Sequence, residues 1–285
     1  MRLLRRALRY LVRLGQLTLE QYRANRTSLL AGAIAFYAFL SLFPFLLVAV
    51  AILGYVLGSS QNAYDALFRL MQSAFPTAKA EIAKQIGGII RNRSVAGWLG
   101  LAGLVWAASA GFGTLRLSLR TVFQMPPPTR SWLAQLKAMG AVFVTIVFLL
   151  ASLLLTSAAT AVSRYRLLGI SLGDVHWLVG LLGIGVSLLV DLGMFSLLYR
   201  SVPSRVGTGG LLVGAGFAAV AWELAKLGFA WYVTQVGPFA IYGSLGTVVL
   251  LMLWVYYTAV ITLLGAELAW AHARVITMPA RPSRF

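Results

Sequence analysis

Apolar and polar positions along this chain fall into long blocks, without the short alternation that marks β-strands. Six apolar blocks of about 20 to 30 residues are separated by polar, arginine-rich connections. An α-helix that crosses the hydrocarbon core of a bilayer needs about 20 apolar residues. The pattern therefore predicts an all-α, polytopic membrane protein with six transmembrane helices, at approximately 28–57, 95–115, 138–162, 177–199, 209–235 and 244–271.

Residues 1–26 have a different pattern, with arginines on one side of a helix and leucines on the other. The arginines fall within one arc of about 100° when residues are placed at helical spacing. This pattern is typical of an amphipathic helix in the membrane interface, with its cations at lipid head groups. A solvated basic leader, or a helix packed on the protein's own cytoplasmic face, is the alternative. The predicted head-group contacts are Arg2, Arg5, Arg6, Arg9 and Arg13.

The remaining segments complete a division into a leader (1–26), a membrane domain (27–272) and a cytoplasmic tail (273–285). Residues 59–94 form the first extracytoplasmic loop, in which helical spacing of apolar residues predicts two short amphipathic helices. Pro44 lies in the middle of the first span, where a missing backbone donor predicts a kink. Gly210 and Gly214 have GxxxG spacing, which more often means close helix packing than a specific dimer.

Charge sets the expected orientation. The chain has 24 lysines and arginines against 7 acidic residues, and only 11% of its residues are charged. With six spans both termini lie on one side, which carries sixteen of the basic residues, whereas the opposite side carries seven. The positive-inside rule then places both termini in the cytoplasm. Because the cations lie mostly at helix ends and loops, the expected partners are anionic lipid head groups, and no nucleic acid.

Four charged residues fall inside the predicted spans, namely Asp191, Glu223, Lys226 and Glu267. A charge at the bilayer centre costs at least about 2.5–3.5 kcal/mol, so such groups normally face a partner or a wet cavity. Glu223 and Lys226 are three residues apart and share a helix face, so they can pair. All four together sum to −2 if ionised, which favours protonation of at least one carboxylate.

These four residues are the predicted intramembrane polar site, and two interpretations of it stay open. One is a polar path, head-group site or proton site within the bundle. The other is structural, since polar residues also hold membrane helices together. Tyr37, Ser41 and Tyr242 are candidates to line the same space, or they are ordinary hydrogen-bonding residues between helices.

Three passages, in this order, resemble the YihY/BrkB family of bacterial inner-membrane proteins. They are LLAGAIAFYAFLSLFP at 29–44, WELAK at 222–226, and IYGSLG at 241–246 followed by LGAEL at 264–268. The resemblance extends from about residue 20 to 272. It implies six spans with both ends in the cytoplasm of a bacterial inner membrane, and a role in transport or envelope lipid handling without a settled substrate. Members have been labelled ribonuclease BN or virulence factors, and the ribonuclease label is a historical mislabelling.

The residues themselves argue against catalysis. Metal-assisted RNA cleavage needs clustered His, Asp or Glu ligands, but the two histidines, His176 and His272, are predicted on opposite sides of the membrane. The chain has no cysteine, and the passage 243–246 lacks the G-x-S-x-G spacing of a serine nucleophile. We therefore expect no enzyme, no catalytic residue, no metal and no cofactor.

The sequence favours an inner-membrane transporter, or a lipid- or envelope-handling factor, for an amphipathic or ionic substrate. The alternative is a non-transporting scaffold that organises envelope protein partners. A ribonuclease is the third and least favoured function. Substrate, coupling ion and oligomeric state are not determined by the sequence.

Overall fold

A computed structural model describes residues 2–58, 93–126, 140, 176–202, 204–235 and 244–277. Every regular element within these ranges is an α-helix, which confirms the all-α prediction for the described part of the chain. The helices are α1 (Arg2–Ala24), α2 (Thr27–Gly58), α3 (Arg93–Val122), α4 (His176–Ser201), α5 (Thr208–Gln235) and α6 (Ser244–Thr277).

Five of these helices, α2 to α6, contain a segment long and apolar enough to cross a membrane. The protein is therefore a polytopic membrane protein. The third predicted span, at 138–162, lies outside the described residues except for Gly140. The predicted short helices of 59–94, Tyr242 and residues 278–285 lie outside them as well.

α3 continues through Arg116 and Arg120 to Val122, beyond the boundary at 115 expected from the sequence. The side chain of Arg120 is buried, and its Nε and Nη2 atoms donate to the carbonyl of Pro126 at 2.9 and 2.5 Å. The Pro126 carbonyl thus accepts hydrogen bonds from the buried guanidinium of Arg120. With this group satisfied, α3 can extend past the end of the apolar block. Gln124 then ends the helix in the left-handed conformation, with φ of 52°. The amide of Met125 donates to the Arg120 carbonyl at 2.9 Å, as in a Schellman motif.

The chain divides into two compact units, of which the smaller comprises residues 36–111. In this unit α2 continues as one helix through Pro44. Glycines of α3 lie against this part of α2. A Cβ atom at Gly103 would be 3.1 Å from Cβ of Pro44, and one at Gly100 would be 2.9 Å from Cβ of Leu47. Because these glycines have no side chain, α2 and α3 can pack closely beside the proline.

The larger unit comprises residues 1–35 and 112–285, and its core is centred on α5 and α6. Gly214 of the GxxxG pair lies against Gly265 of α6, where an added Cβ would be 2.2 Å from the Gly265 carbonyl oxygen. The hydroxyl of Tyr199 fills the space beside Gly265 and donates to the Thr262 carbonyl at 2.7 Å. The pair of small residues thus serves close packing within this chain.

α1 has three different faces. Leu14 is buried in the core, and the hydroxyl of Tyr10 is hydrogen-bonded to Nδ1 of His272 on α6. A second face is apolar and exposed. Arg9 is exposed on the third face, and Arg13 is half-buried. The helix therefore packs on its own protein, as one alternative expected, and still presents an apolar strip outward. This strip consists of Leu8, Leu11, Val12 and Leu19. The side chains of Arg2, Arg5 and Arg6 lie outside the description.

Candidate functional site

The ammonium group of Lys226 is the centre of a polar cluster between α4 and α5. Its Nζ donates to Oε1 of Glu223 at 2.8 Å, to Oγ of Ser187 at 2.9 Å and to Oδ2 of Asp191 at 3.3 Å. An ammonium has three donors, and here three oxygen acceptors lie around it. Two membrane helices are thereby joined through one cation.

Every member of this Lys226 cluster is buried. Ser187 and Asp191 are fully buried, and Glu223 and Lys226 are 7% and 9% exposed. Among the described residues, two carboxylates surround one ammonium, so these three groups sum to a formal charge of −1 when all are ionised. In a medium of low dielectric constant such an excess charge is costly, and an added proton or small cation would balance it.

The three charged residues that the sequence places in spans four and five are all present in this cluster. The pairing of Glu223 with Lys226 follows from their spacing on α5. Asp191 joins them from α4 at the same time. Ser187 was missed by the sequence reasoning, although one signal was available. It lies four residues before Asp191 and therefore on the same face of α4.

Glu267, the fourth predicted site residue, takes part in a different set of contacts. Its Oε1 atom accepts hydrogen bonds from Nδ2 of Asn25 at 2.9 Å and from Oγ1 of Thr27 at 2.8 Å. Its side chain is fully buried, and Oε2 has no hydrogen-bond partner among the described residues. Glu267 thus holds the junction of α1 and α2 against α6 and is not hydrogen-bonded to the Lys226 cluster.

The predicted lining residues are in other surroundings. Tyr37 and Ser41 belong to the smaller unit, where the Ser41 hydroxyl donates to the Ala38 carbonyl of its own helix at 2.6 Å. The ring of Tyr37 contacts that of Phe36 edge-on, with centroids 5.3 Å apart. Tyr242 lies outside the described residues. None of the contacts described for Tyr37 and Ser41 reaches the Lys226 cluster.

An apolar groove of about 480 Å³ lies on another side of α5, between α5 and α6. Residues on both sides of Lys226 in the chain contribute to it, namely Ala225 and Phe229. The indole of Trp254 forms its inner wall, with ring centroids 4.4 Å from Phe229 and 4.9 Å from Trp222. The groove is therefore an apolar surface lined by aromatic rings, which suits hydrocarbon.

The described residues contain no group of three or more histidine, aspartate or glutamate side chains that would hold a metal ion. His272 is hydrogen-bonded to Tyr10, and the side chain of His176 lies outside the description. The fold and the Lys226 cluster are thus those of a membrane protein with a buried cluster of ionisable residues.

Comparison with known proteins shows the family of membrane proteins to which this chain belongs. The family model "Virulence factor BrkB" matches residues 18–284, so the chain belongs to this family. It is 31% identical to a UPF0761 membrane protein of Methylibium petroleiphilum over 91% of this chain, which spans 62% of that relative's length. No solved structure matches the chain.

Two further relatives illustrate how the family has been named. The inner membrane protein YhjD of Escherichia coli is 24% identical over 88% of this chain and 77% of its own length. The putative ribonuclease-like protein YfkH of Bacillus subtilis is 25% identical over 90% of this chain and 94% of its own length. The family is one of membrane proteins without a known catalytic role, and the ribonuclease name is an old mislabel.

Proposed function

We propose that this protein moves, or helps to move, an ionic or amphipathic substrate across a bacterial inner membrane, and that it is not an enzyme. The observation that carries the proposal is the buried Lys226 cluster, in which two helices of membrane-spanning length share an ammonium and two carboxylates. Ionisable residues inside a membrane are costly and commonly mark the path of an ion or a substrate.

The excess of one carboxylate gives the cluster a chemical function beyond helix association. A proton or small cation that enters neutralises the site, and its departure restores the charge. The groove on the other side of α5 adds an apolar surface beside this polar site. A substrate with both an ionic and an apolar part fits this combination, as an amphiphile of the envelope does.

The test is a flux measurement on pure protein in proteoliposomes. Ion movement is followed with an internal pH dye, and lipid movement by dithionite bleaching of a fluorescent phosphatidylglycerol. The test variant is the uncharged triple Asp191→Asn, Glu223→Gln, Lys226→Met, which keeps the approximate side-chain volumes. We expect wild-type flux in at least one assay and its loss in the folded triple variant.

Glu267→Gln is the matched control, because it neutralises a fully buried carboxylate outside the cluster. It is expected to retain flux. Retained flux in the triple variant would make the cluster structural only. A folded wild-type protein without flux in either assay would contradict transport and favour the scaffold that organises envelope partners.

We further propose that both termini face the cytoplasm and that anionic lipids are the partners of the arginine face of α1. The arginine and lysine distribution supports this orientation. Single cysteines at Ser60, Ser73 and Ser283, positions outside the described residues, are to be labelled with an impermeant thiol reagent on spheroplasts. Labelling at 60 and 73 but not at 283 is expected, and the reverse would invert the topology.

A further inference from the structure

A cleft of about 360 Å³ lies where the end of α3, the turn before α5 and the end of α6 meet. All three segments belong to the larger unit. Among the described residues, the polar side chains that line the cleft carry two guanidinium groups and one amide, and none carries a carboxylate. The remaining lining is apolar or aromatic. The polar members are Arg205, Arg274 and Gln124, and the apolar members that matter here are Phe123 and Trp270.

The arginines come from different segments and converge on one space. Arg205 lies in the turn before α5, and Arg274 lies near the end of α6. A guanidinium presents a planar set of donors that matches phosphate oxygens in a bidentate manner. Two such groups with no neighbouring carboxylate in the lining suit an anionic ligand with several oxygens.

Two polar side chains of the cleft, Arg274 and Gln124, are held in place by contacts with the fold. The guanidinium of Arg274 lies over the Trp270 ring, 4.8 Å from its centroid. Its Nη2 donates to Oε1 of Gln124 at 3.3 Å, and Nε2 of Gln124 donates to Oε1 of Gln21 on α1 at 3.2 Å. Gln124 is itself the left-handed residue that ends α3. Arg274 and Gln124 are therefore positioned before a ligand arrives.

The position of the cleft decides between a soluble anion and a lipid. Arg205 precedes the apolar span Thr208–Val233 by three residues, and Trp270 lies near the end of the span Val248–Ile276. The cleft is thus at the level where spans reach the head groups, and Phe123 and Trp270 give it an apolar floor. A soluble phosphate ester needs the cations but not this floor.

We propose that this cleft binds the head group of an anionic phospholipid, with Arg205 and Arg274 on the phosphate and the glycerol region on the apolar floor. The site is separate from the arginine face of α1 and from the Lys226 cluster. This lipid site does not depend on the proposed transport function, because its residues lie at the end of the helices and outside the Lys226 cluster.

Lipid binding to the full chain in detergent, titrated by native mass spectrometry, tests the site. The probes are phosphatidylglycerol, phosphatidylcholine and soluble glycerol 3-phosphate. Hydrogen bonds to charged groups are stronger than neutral ones, so loss of both arginines predicts weakening of binding by about tenfold or more. The expected result is a preference for phosphatidylglycerol that weakens by this factor in Arg205→Gln with Arg274→Gln, while glycerol 3-phosphate does not compete for the cleft.

The matched control removes the same charge from two exposed arginines outside the cleft, Arg23→Gln with Arg200→Gln. It should keep the preference. Ala273→Leu fills the cleft without changing charge and should weaken binding, while unfolding temperatures confirm that each variant folds. Equal loss in the control, an unaffected Ala273→Leu variant, equal affinity for both lipids, or displacement by glycerol 3-phosphate would each overturn the proposal.

Discussion

Two fully buried carboxylates, Asp191 and Glu267, are stabilised by different kinds of partner. Asp191 and its neighbour Glu223 share the ammonium of Lys226 within the membrane-spanning region. Among the described residues, Glu267 accepts hydrogen bonds from two neutral donors, the side chains of Asn25 and Thr27. The first site depends on charge balance between two spans. The second depends on hydrogen bonds between α6 and the turn that joins α1 to α2.

Because their partners differ, the Lys226 cluster and the Glu267 site should tolerate different substitutions. A charge cluster responds to changes in net charge, because an unbalanced ion in a dry site is costly. A carboxylate that is held by neutral donors responds mainly to loss of the acceptor, because the buried donors are then left unpaired. Substitutions that change charge and substitutions that remove an acceptor therefore have different effects at the two sites.

Removal of Lys226 is expected to destabilise the protein most. Lys226→Met leaves Asp191 and Glu223 beside each other without the ammonium that they share, which we expect to cost about 3–5 kcal/mol. Glu223→Gln leaves one ammonium and one carboxylate and keeps an oxygen acceptor, so its cost should stay below about 1 kcal/mol. Reversible unfolding in detergent measures both.

Variants that remove two or three of the charged groups test the same charge balance. Pairing Lys226→Met with Glu223→Gln still leaves Asp191 charged, so recovery should be incomplete until Asp191→Asn is added. Full recovery in the double variant would show that Asp191 does not interact with Lys226 in solution. Equal losses for Lys226→Met and Glu223→Gln would contradict the role of charge balance.

Glu267 should show the opposite dependence. Glu267→Ala leaves the donors of Asn25 and Thr27 without their acceptor, and we expect a loss of about 2–4 kcal/mol. Glu267→Gln removes the charge, keeps Oε1 and should cost about 1 kcal/mol or less. The same unfolding assay measures both variants. If Gln is as harmful as Ala, the charge at 267 matters and the contrast with the Lys226 cluster fails.

The glycine contact between α5 and α6 sets the spacing of the helices that carry the two sites. Gly214→Ala brings a Cβ to 2.2 Å from the Gly265 carbonyl oxygen, so the helices must separate. Overpacking of this kind typically costs about 1–3 kcal/mol. Gly228→Ala on the same helix is the control, because nothing lies within 4 Å of its added Cβ. Thermal unfolding should show loss in the first variant only; similar curves for both would contradict the contact.

The smallest effect is expected at Tyr10, the second link between α1 and α6. Tyr10→Phe removes the hydrogen bond to His272 and should cost about 1 kcal/mol. Burial raises the pKa of Tyr10, so the folded protein keeps the phenolic proton at a higher pH than the unfolded chain does. The stabilisation is therefore complete below about pH 10 and is lost as pH rises through the raised pKa.

Unfolding temperatures of wild type and Tyr10→Phe at pH 8 and pH 11 check this link. The difference between the two proteins should shrink at the higher pH. Tyr257→Phe, at an exposed tyrosine of α6, serves as the control and should show no such change. A pH-independent difference would mean that ring packing, and not the hydroxyl contact, holds α1.

Much of the fold follows from the sequence because a membrane span is recognised by length and apolarity alone. The described helices α2, α4, α5 and α6 begin and end within a few residues of the predicted spans, except that α6 continues to Thr277. α3 runs further than expected, since a long arginine side chain can pair with a carbonyl beyond the helix end. Such pairing depends on contacts that hydropathy does not record.

That charged groups lie inside spans, and that Glu223 and Lys226 share a face, can be predicted from the sequence, because helical spacing fixes the neighbours within one helix. That Asp191 and Ser187 join them, whereas Glu267 binds the α1–α2 junction, depends on how the helices pack. Partners on different helices depend on rotation and vertical register. In a membrane span, apolar residues face lipid and protein alike, so the hydrophobic pattern cannot reveal which face points inward.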